Sequence, residues 1–115
     1  MFINILLPYK EKFSMNKASS VSLTVANNLE FSKYKKKIRI FGHNVDNPMY
    51  KNNFIGINNS WNFLKSKNQN LSHKMCELIN KENEKLQIIE IHNRPYLVDT
   101  IYLKLKNKKN LLSLF

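Results

Sequence analysis

Leu86-Gln87-Ile88-Ile89-Glu90-Ile91-His92-Asn93-Arg94-Pro95 is the stretch that decides the fold. A short, isoleucine-rich run of this length reads as a buried strand. It empties into an imidazole, an amide and a guanidinium. Pro95 then restarts the chain as a helix, because its fixed φ and missing N–H suit a first helical turn. In open α/β sheets, ligands sit just outside the carboxyl ends of the strands. His92, Asn93 and Arg94 on this corner are therefore candidate site residues.

Downstream, Leu97, Ile101 and Leu105, flanked by Val98 and Tyr102, make a helical face. Asp99 stands near the start of that helix, and Lys104, Lys106, Lys108 and Lys109 crowd its end, as the macrodipole favours. Leu111 to Phe115 reads as a last strand, and the intervening chain is long enough for a right-handed crossover between parallel strands.

Upstream, residues 2–7 read as a first strand closed by Pro8. Ala18, Val21, Val25, Ala26 and Leu29 share one helical face, which predicts a helix over about 17–31. The alternation from Val21 to Val25 also fits a strand. Residues 37–41 form a second strand, stopped by Gly42. The segment 43–70 is Asn-rich and irregular, with a short strand at Phe54 to Ile57 and an apolar knot of Trp61, Phe63 and Leu64. Trp61 suits the core, or the anchor of a loop, rather than a stacking platform. Leu71, Met75, Leu78, Ile79 and Glu82 follow helical spacing, with Asn70 as N-cap. Strands and helices alternate, so the class is α/β with a mostly parallel sheet and flanking helices.

Composition narrows the choices. The 115 residues suit a single core, and 43% hydrophobic against 23% charged residues describes a chain that folds. A formal charge of +11 and a pI near 9.8 attract phosphates, nucleic acid or anionic membrane. Cys76 stands alone, so no disulfide framework exists within the chain and a reducing cytoplasm fits. The apolar opening is too short for a signal peptide, and no run approaches the ~20 apolar residues of a membrane span. No G-x-G-x-x-G occurs, which argues against a nicotinamide or flavin enzyme, though Asp46 stands where a ribose could be met. Three histidines and one cysteine show no ligand spacing, so no metal and no resident cofactor are expected. His73 reads as a surface histidine.

Leu6-Leu7-Pro8-Tyr9-Lys10-Glu11-Lys12-Phe13-Ser14, with Asn16 and Ala18-Ser19-Ser20-Val21-Ser22, resembles the start of certain bacterial family-four glycosyltransferases. Ile38-Arg39-Ile40-Phe41-Gly42 resembles their second strand. Ile88-Ile89-Glu90-Ile91-His92-Asn93-Arg94-Pro95, the most specific piece, resembles their fourth-strand corner. The similarity is weakest between about 43 and 70. It implies a GT-B enzyme, in which two Rossmann-like domains face across a cleft. The N-terminal domain mainly receives a saccharide or lipid-linked saccharide acceptor, and the C-terminal one binds a nucleotide-sugar donor. Residues 1–115 would be a partial N-terminal domain, inactive alone, whose chain stops inside its last strand and lacks the C-terminal nucleotide-sugar domain. The expected process is cell-surface polysaccharide or lipopolysaccharide synthesis in the cytoplasm, with peripheral contact to anionic membrane.

Under that resemblance His92 is the catalytic residue, orienting or deprotonating an acceptor hydroxyl or hydrogen-bonding the donor sugar. Arg94 binds phosphate or an acidic sugar through its planar fork, beside Asn93. Ser19 and Ser20 lie where a helix N-terminus can hold phosphate. Relatives usually show glycine where Ser19 stands; either the Ser19 and Ser20 hydroxyls compensate as donors or the diphosphate contact is weakened or altered. The plainer readings are a strand-to-helix turn capped by Asn93 or Arg94 with His92 partly buried, and a solvated loop with an N-cap at Ser14 or Asn16. A competing function, a small basic nucleic-acid-binding protein, draws on the +11 charge and the lysines at 35–37 and 104–109. Those lysines sit at helix ends and before strands, and the pattern matches no common DNA-reading module, so nucleic acid is not expected.

Overall fold

The structure is a computed structural model that describes residues 1–58 and 66–105, together with the backbone of 109–114. Strands β1 (Phe2–Leu6), β2 (Ile38–His43), β3 (Phe54–Ile57), β4 (Leu86–Ile91) and β5 (Lys109–Leu114) form one sheet. Its order is β3-β2-β1-β4-β5, and every neighbouring pair runs parallel. The chain winds outward from β1 to β3, then returns to the other side of β1. This is the Rossmann-like order, and the winding reverses between β1 and β4.

Side-chain alternation along the strands sorts two cores. Ile5 and Leu7 with Ile38 and Ile40 pack under α1 (Ser20–Phe31), through Val25, Ala26 and Leu29. Leu6, Phe41, Ile89 and Ile91 point to the opposite face. There they meet Leu71, Met75, Cys76 and Ile79 of α2 (Lys67–Asn80), and Ile101 of α3 (Val98–Lys104) with Leu97 and Leu105 beside it. Burying each large apolar side chain is worth about 1.5–3 kcal/mol, so these stripes clamp the sheet from both sides.

Several boundaries differ from the sequence reading. Helix α2 begins a turn early: Ser66, not Asn70, is its N-cap, and Ser66 with Gln69 forms a reciprocal capping box. Asn70 lies inside the helix and is buried. Helix α1 is capped by Ser19, not by Ser14 or Asn16, and it excludes the strand alternative for 21–25. Gly42 does not stop β2, which continues to His43. A Cβ at Gly42 would meet Phe54 at 3.4 Å and Leu7 at 3.7 Å, ordinary contact distances, so packing does not require glycine there, and pairing with Gly56 of β3 carries the strand through it. Pro95 opens a single 3-10 turn, Pro95–Leu97, before α3. The last strand starts at Lys109 rather than Leu111. The apolar knot of Trp61, Phe63 and Leu64, and Phe115, lie outside the described residues.

Candidate functional site

At the reversal point, β4 delivers Glu90 and His92 to the face that carries α1, because residues two apart in a strand share a side. Ser20, Val21, Thr24 and Asn28 of α1 face them across a cavity of about 370 Å³, which Asn93 also lines. Ile91 points the other way and is only 1% exposed, anchoring the strand end in the α2–α3 core. The backbone N–H of His92 donates to Leu6 O at 3.4 Å, holding the end of β4 against β1.

His92 is 8% exposed, and its Nε2 lies 2.7 Å from Oε1 of Glu90. A carboxylate accepts only, so the ring nitrogen facing it is the donor. Glu90 fixes the ring's orientation and stabilises an imidazolium if one forms, the arrangement by which a carboxylate supports a histidine base. Asn93 follows at φ 55°. That left-handed conformation costs most side chains energy, and Asn is among the few that tolerate it. The kink turns the chain from strand to helix while keeping His92 and Asn93 on the cavity wall.

The five candidate residues separate. Ser20, His92 and Asn93 come together around the cavity. Arg94 does not line it; Nη1 donates to the carbonyl of Asn93 at 2.6 Å, which folds the guanidinium back onto its own backbone. Ser19 serves as helix cap: its Oγ accepts from Ser22 N at 3.2 Å and donates to Ser22 Oγ at 3.1 Å. One of the two hydroxyls expected to compensate for a missing glycine is thus engaged in starting α1. Neither Asn93 nor Arg94 caps α3 through its side chain. Glu90 is the residue that sequence reasoning missed. Its signal was present, since i and i+2 of a strand share a face.

A second group gathers at the carboxyl ends of β1 and β2. The loops after these strands are laced by Met15 N to Asn47 O at 2.8 Å and Met49 N to Phe13 O at 3.1 Å, around a Ser14–Pro48 bridge. Between them lies a cavity of about 270 Å³ whose lining includes Lys12, Lys17, His43 and Asp46. Burial, then the charges of Lys12 and Lys67, hold the His43 pKa below the usual histidine value. His73 is half-buried, with Nε2 3.4 Å from Lys104 Nζ. Cys76 is packed in the core, and burial pushes its thiol up to about 12.

Among the described residues, no cluster of His, Cys, Asp and Glu is placed to hold a metal, and no helix is long and apolar enough to cross a membrane. Comparison with protein-family models, curated proteins and solved structures finds no match.

Proposed function

We propose that this chain is the acceptor-side, Rossmann-like domain of a two-domain glycosyltransferase, with the cavity beside β4 as the place where the acceptor hydroxyl is handled. The observation that carries the reading is the His92–Glu90 pair, at 2.7 Å, on the wall of a cavity at the sheet's reversal point. The sequence resemblance at the same corner supports it. His92, oriented by Glu90, accepts the acceptor's hydroxyl proton or holds that hydroxyl by a hydrogen bond as the sugar is transferred. Asn93 offers an amide to neighbouring hydroxyls, and Ser20 offers a hydroxyl from the first turn of α1, where the helix dipole favours anionic oxygen. With Ser19 committed to capping, the loop before α1 holds a donor phosphate through backbone N–H groups and Ser20 rather than through close approach at a glycine. A nucleotide-sugar donor would be bound by a second domain of the whole protein. The acceptor is a saccharide or lipid-linked saccharide, met at the cytoplasmic face of the membrane.

The test is a transfer assay on the whole gene product, with a panel of radiolabelled nucleotide sugars and saccharide acceptors. Donor-dependent transfer is expected, and Glu90→Gln is expected to lower kcat by about tenfold, less than loss of the base itself. Arg94→Lys should leave kcat and KM near wild type, because the guanidinium is turned onto the Asn93 carbonyl. Full transfer activity in Glu90→Gln would remove the pair from the mechanism, and absence of transfer with every donor would remove the function.

A further inference from the structure

The β4 site leaves unused a concentration of positive charge on the other side of the same β1 loop. Lys12 and Lys67 place their ammonium groups 4.5 Å and 4.3 Å from the centroid of the Tyr9 ring, and His43 meets that ring edge-on at 4.7 Å. Among the described residues, no carboxylate lies within ion-pairing distance of Lys12, Lys17 or Lys67. Lys67 also opens α2, whose first turn holds no acidic residue, so a cation stands at the positive end of a helix dipole. Side chains arranged against their local electrostatics are expected where function compensates.

His43 forms part of the wall of this cavity. Its Nδ1 is a buried polar atom with no hydrogen-bond partner. Such atoms are rare in folded chains and call for a specific explanation. The walls around it are held in place by the hydrogen bonds lacing the 12–17 and 43–47 loops and by Tyr9 N donating to Asn68 Oδ1 at 2.7 Å. The site is therefore built before any ligand arrives, which lowers the entropy lost on binding.

We propose that the cavity between the 12–17 and 43–47 loops binds a phosphate group carried by a small hydroxylated molecule. Lys12 and Lys17 line the cavity and supply the charge, and Lys67 adds to the field from behind Tyr9. His43 lines the same cavity, so its ring reports on what binds there. Asp46 opposes a bare anion but suits hydroxyls beside the phosphate, as do the amides of Asn16, Asn44 and Asn47. At about 270 Å³ the cavity has room for a sugar-sized body as well as the phosphate. This assignment does not depend on the β4 reading, which concerns a different cavity.

The test is amide and imidazole NMR of the 115-residue chain, titrated with inorganic phosphate, glucose 1-phosphate and glucose at fixed ionic strength. Vesicles of phosphatidylcholine with and without phosphatidic acid form a second arm. Saturable shifts at His43 and the 43–47 amides are expected with both phosphates, stronger with glucose 1-phosphate, and not with glucose. Lys12→Gln with Lys17→Gln should weaken binding about tenfold or more, as loss of charge-assisted hydrogen bonds predicts. Lys36→Gln with Lys37→Gln removes the same charge from the turn before β2 and should leave binding near wild type.

Bound phosphate should also raise the His43 titration midpoint. The groups facing the ring are Lys12, Lys17 and Lys67, Asp46 and the Tyr9 ring, and an anion offsets the three cations. Shifts with phosphatidic acid but not with soluble phosphate would assign the phosphate to a lipid headgroup. Equal weakening by both lysine pairs, shifts that track ionic strength alone, or an unmoved His43 midpoint would overturn the site.

Discussion

Removing the Arg39 guanidinium should destabilise the fold by about 2–4 kcal/mol. Beneath the site, at the amino end of the sheet, Arg39 of β2 donates from Nε and Nη2 to Asn4 Oδ1 of β1 at 2.9 and 2.6 Å. Nη1 pairs with the Glu82 carboxylate, and the guanidinium lies 4.1 Å from the Phe2 ring centroid. Asn4 Nδ2 donates in turn to Gln87 Oε1 of β4 at 2.7 Å, and both amides are 0% exposed. One charged group thus ties the three central strands together. Arg39→Met leaves Asn4 Oδ1 without these donors at a site water cannot reach, and a hydrogen bond to a charged group is worth ~1.5–3 kcal/mol. Breaking a fully buried ion pair costs about 3–5 kcal/mol, but the Arg39 and Glu82 side chains are 16% and 27% exposed, so Glu82 regains water and the total falls short of that limit. Arg39→Lys keeps the charge and loses the fork, so it should recover only part of the loss. Urea unfolding followed by circular dichroism measures both, with an unchanged m-value. A loss below about 0.5 kcal/mol for Arg39→Met, the size of an ordinary surface substitution, would refute the reasoning.

Cys76 and Asn93 carry further expectations. Because the Cys76 thiol is pushed up to about 12 in the fold, the native state holds its proton where the unfolded chain releases it; stability should fall as pH rises above ~8.5, at up to about 1.4 kcal/mol per unit, and Cys76→Ala should flatten that slope. Native Cys76 should also resist alkylation, so fast labelling without unfolding would contradict its placement. Asn93→Gly should be neutral or slightly stabilising, whereas Asn93→Val should cost about 1–2 kcal/mol by forcing a β-branched residue to positive φ; equal melting temperatures for the two would show that the kink carries no strain.

How much of this was legible in the chain depended on how local each signal is. The run Leu86 to Ile91 with Pro95 behind it predicted β4 and the helical restart, because a buried strand and a proline both act through nearest neighbours. The start of α2 was hidden since Lys67, Asn68 and Gln69 carry no apolar periodicity; the Ser66–Gln69 spacing was the signal, and capping chemistry rather than burial sets that boundary. Gly42 reads as a stop by propensity alone, whereas parallel pairing with Gly56 of β3, a long-range contact, carries the strand through it. His92 and Asn93 were recognisable on their corner, while the fate of Arg94 and Ser19 turned on hydrogen bonds to Asn93 and Ser22 that residue type does not dictate. The Lys12–Tyr9–Lys67–His43 group assembles residues from three separate segments, so no window of sequence contains it.

The most direct test of the β4 site is imidazole rescue of His92→Ala in the whole gene product. The substitution should lower kcat by about 10²-fold, the contribution of a positioned proton-transfer group. The cavity it leaves should admit free imidazole beside Glu90, restoring turnover saturably, with a melting temperature within a few degrees of wild type. Near-normal turnover in His92→Ala, or lost turnover that imidazole does not restore in a variant that still melts like wild type, would contradict the account.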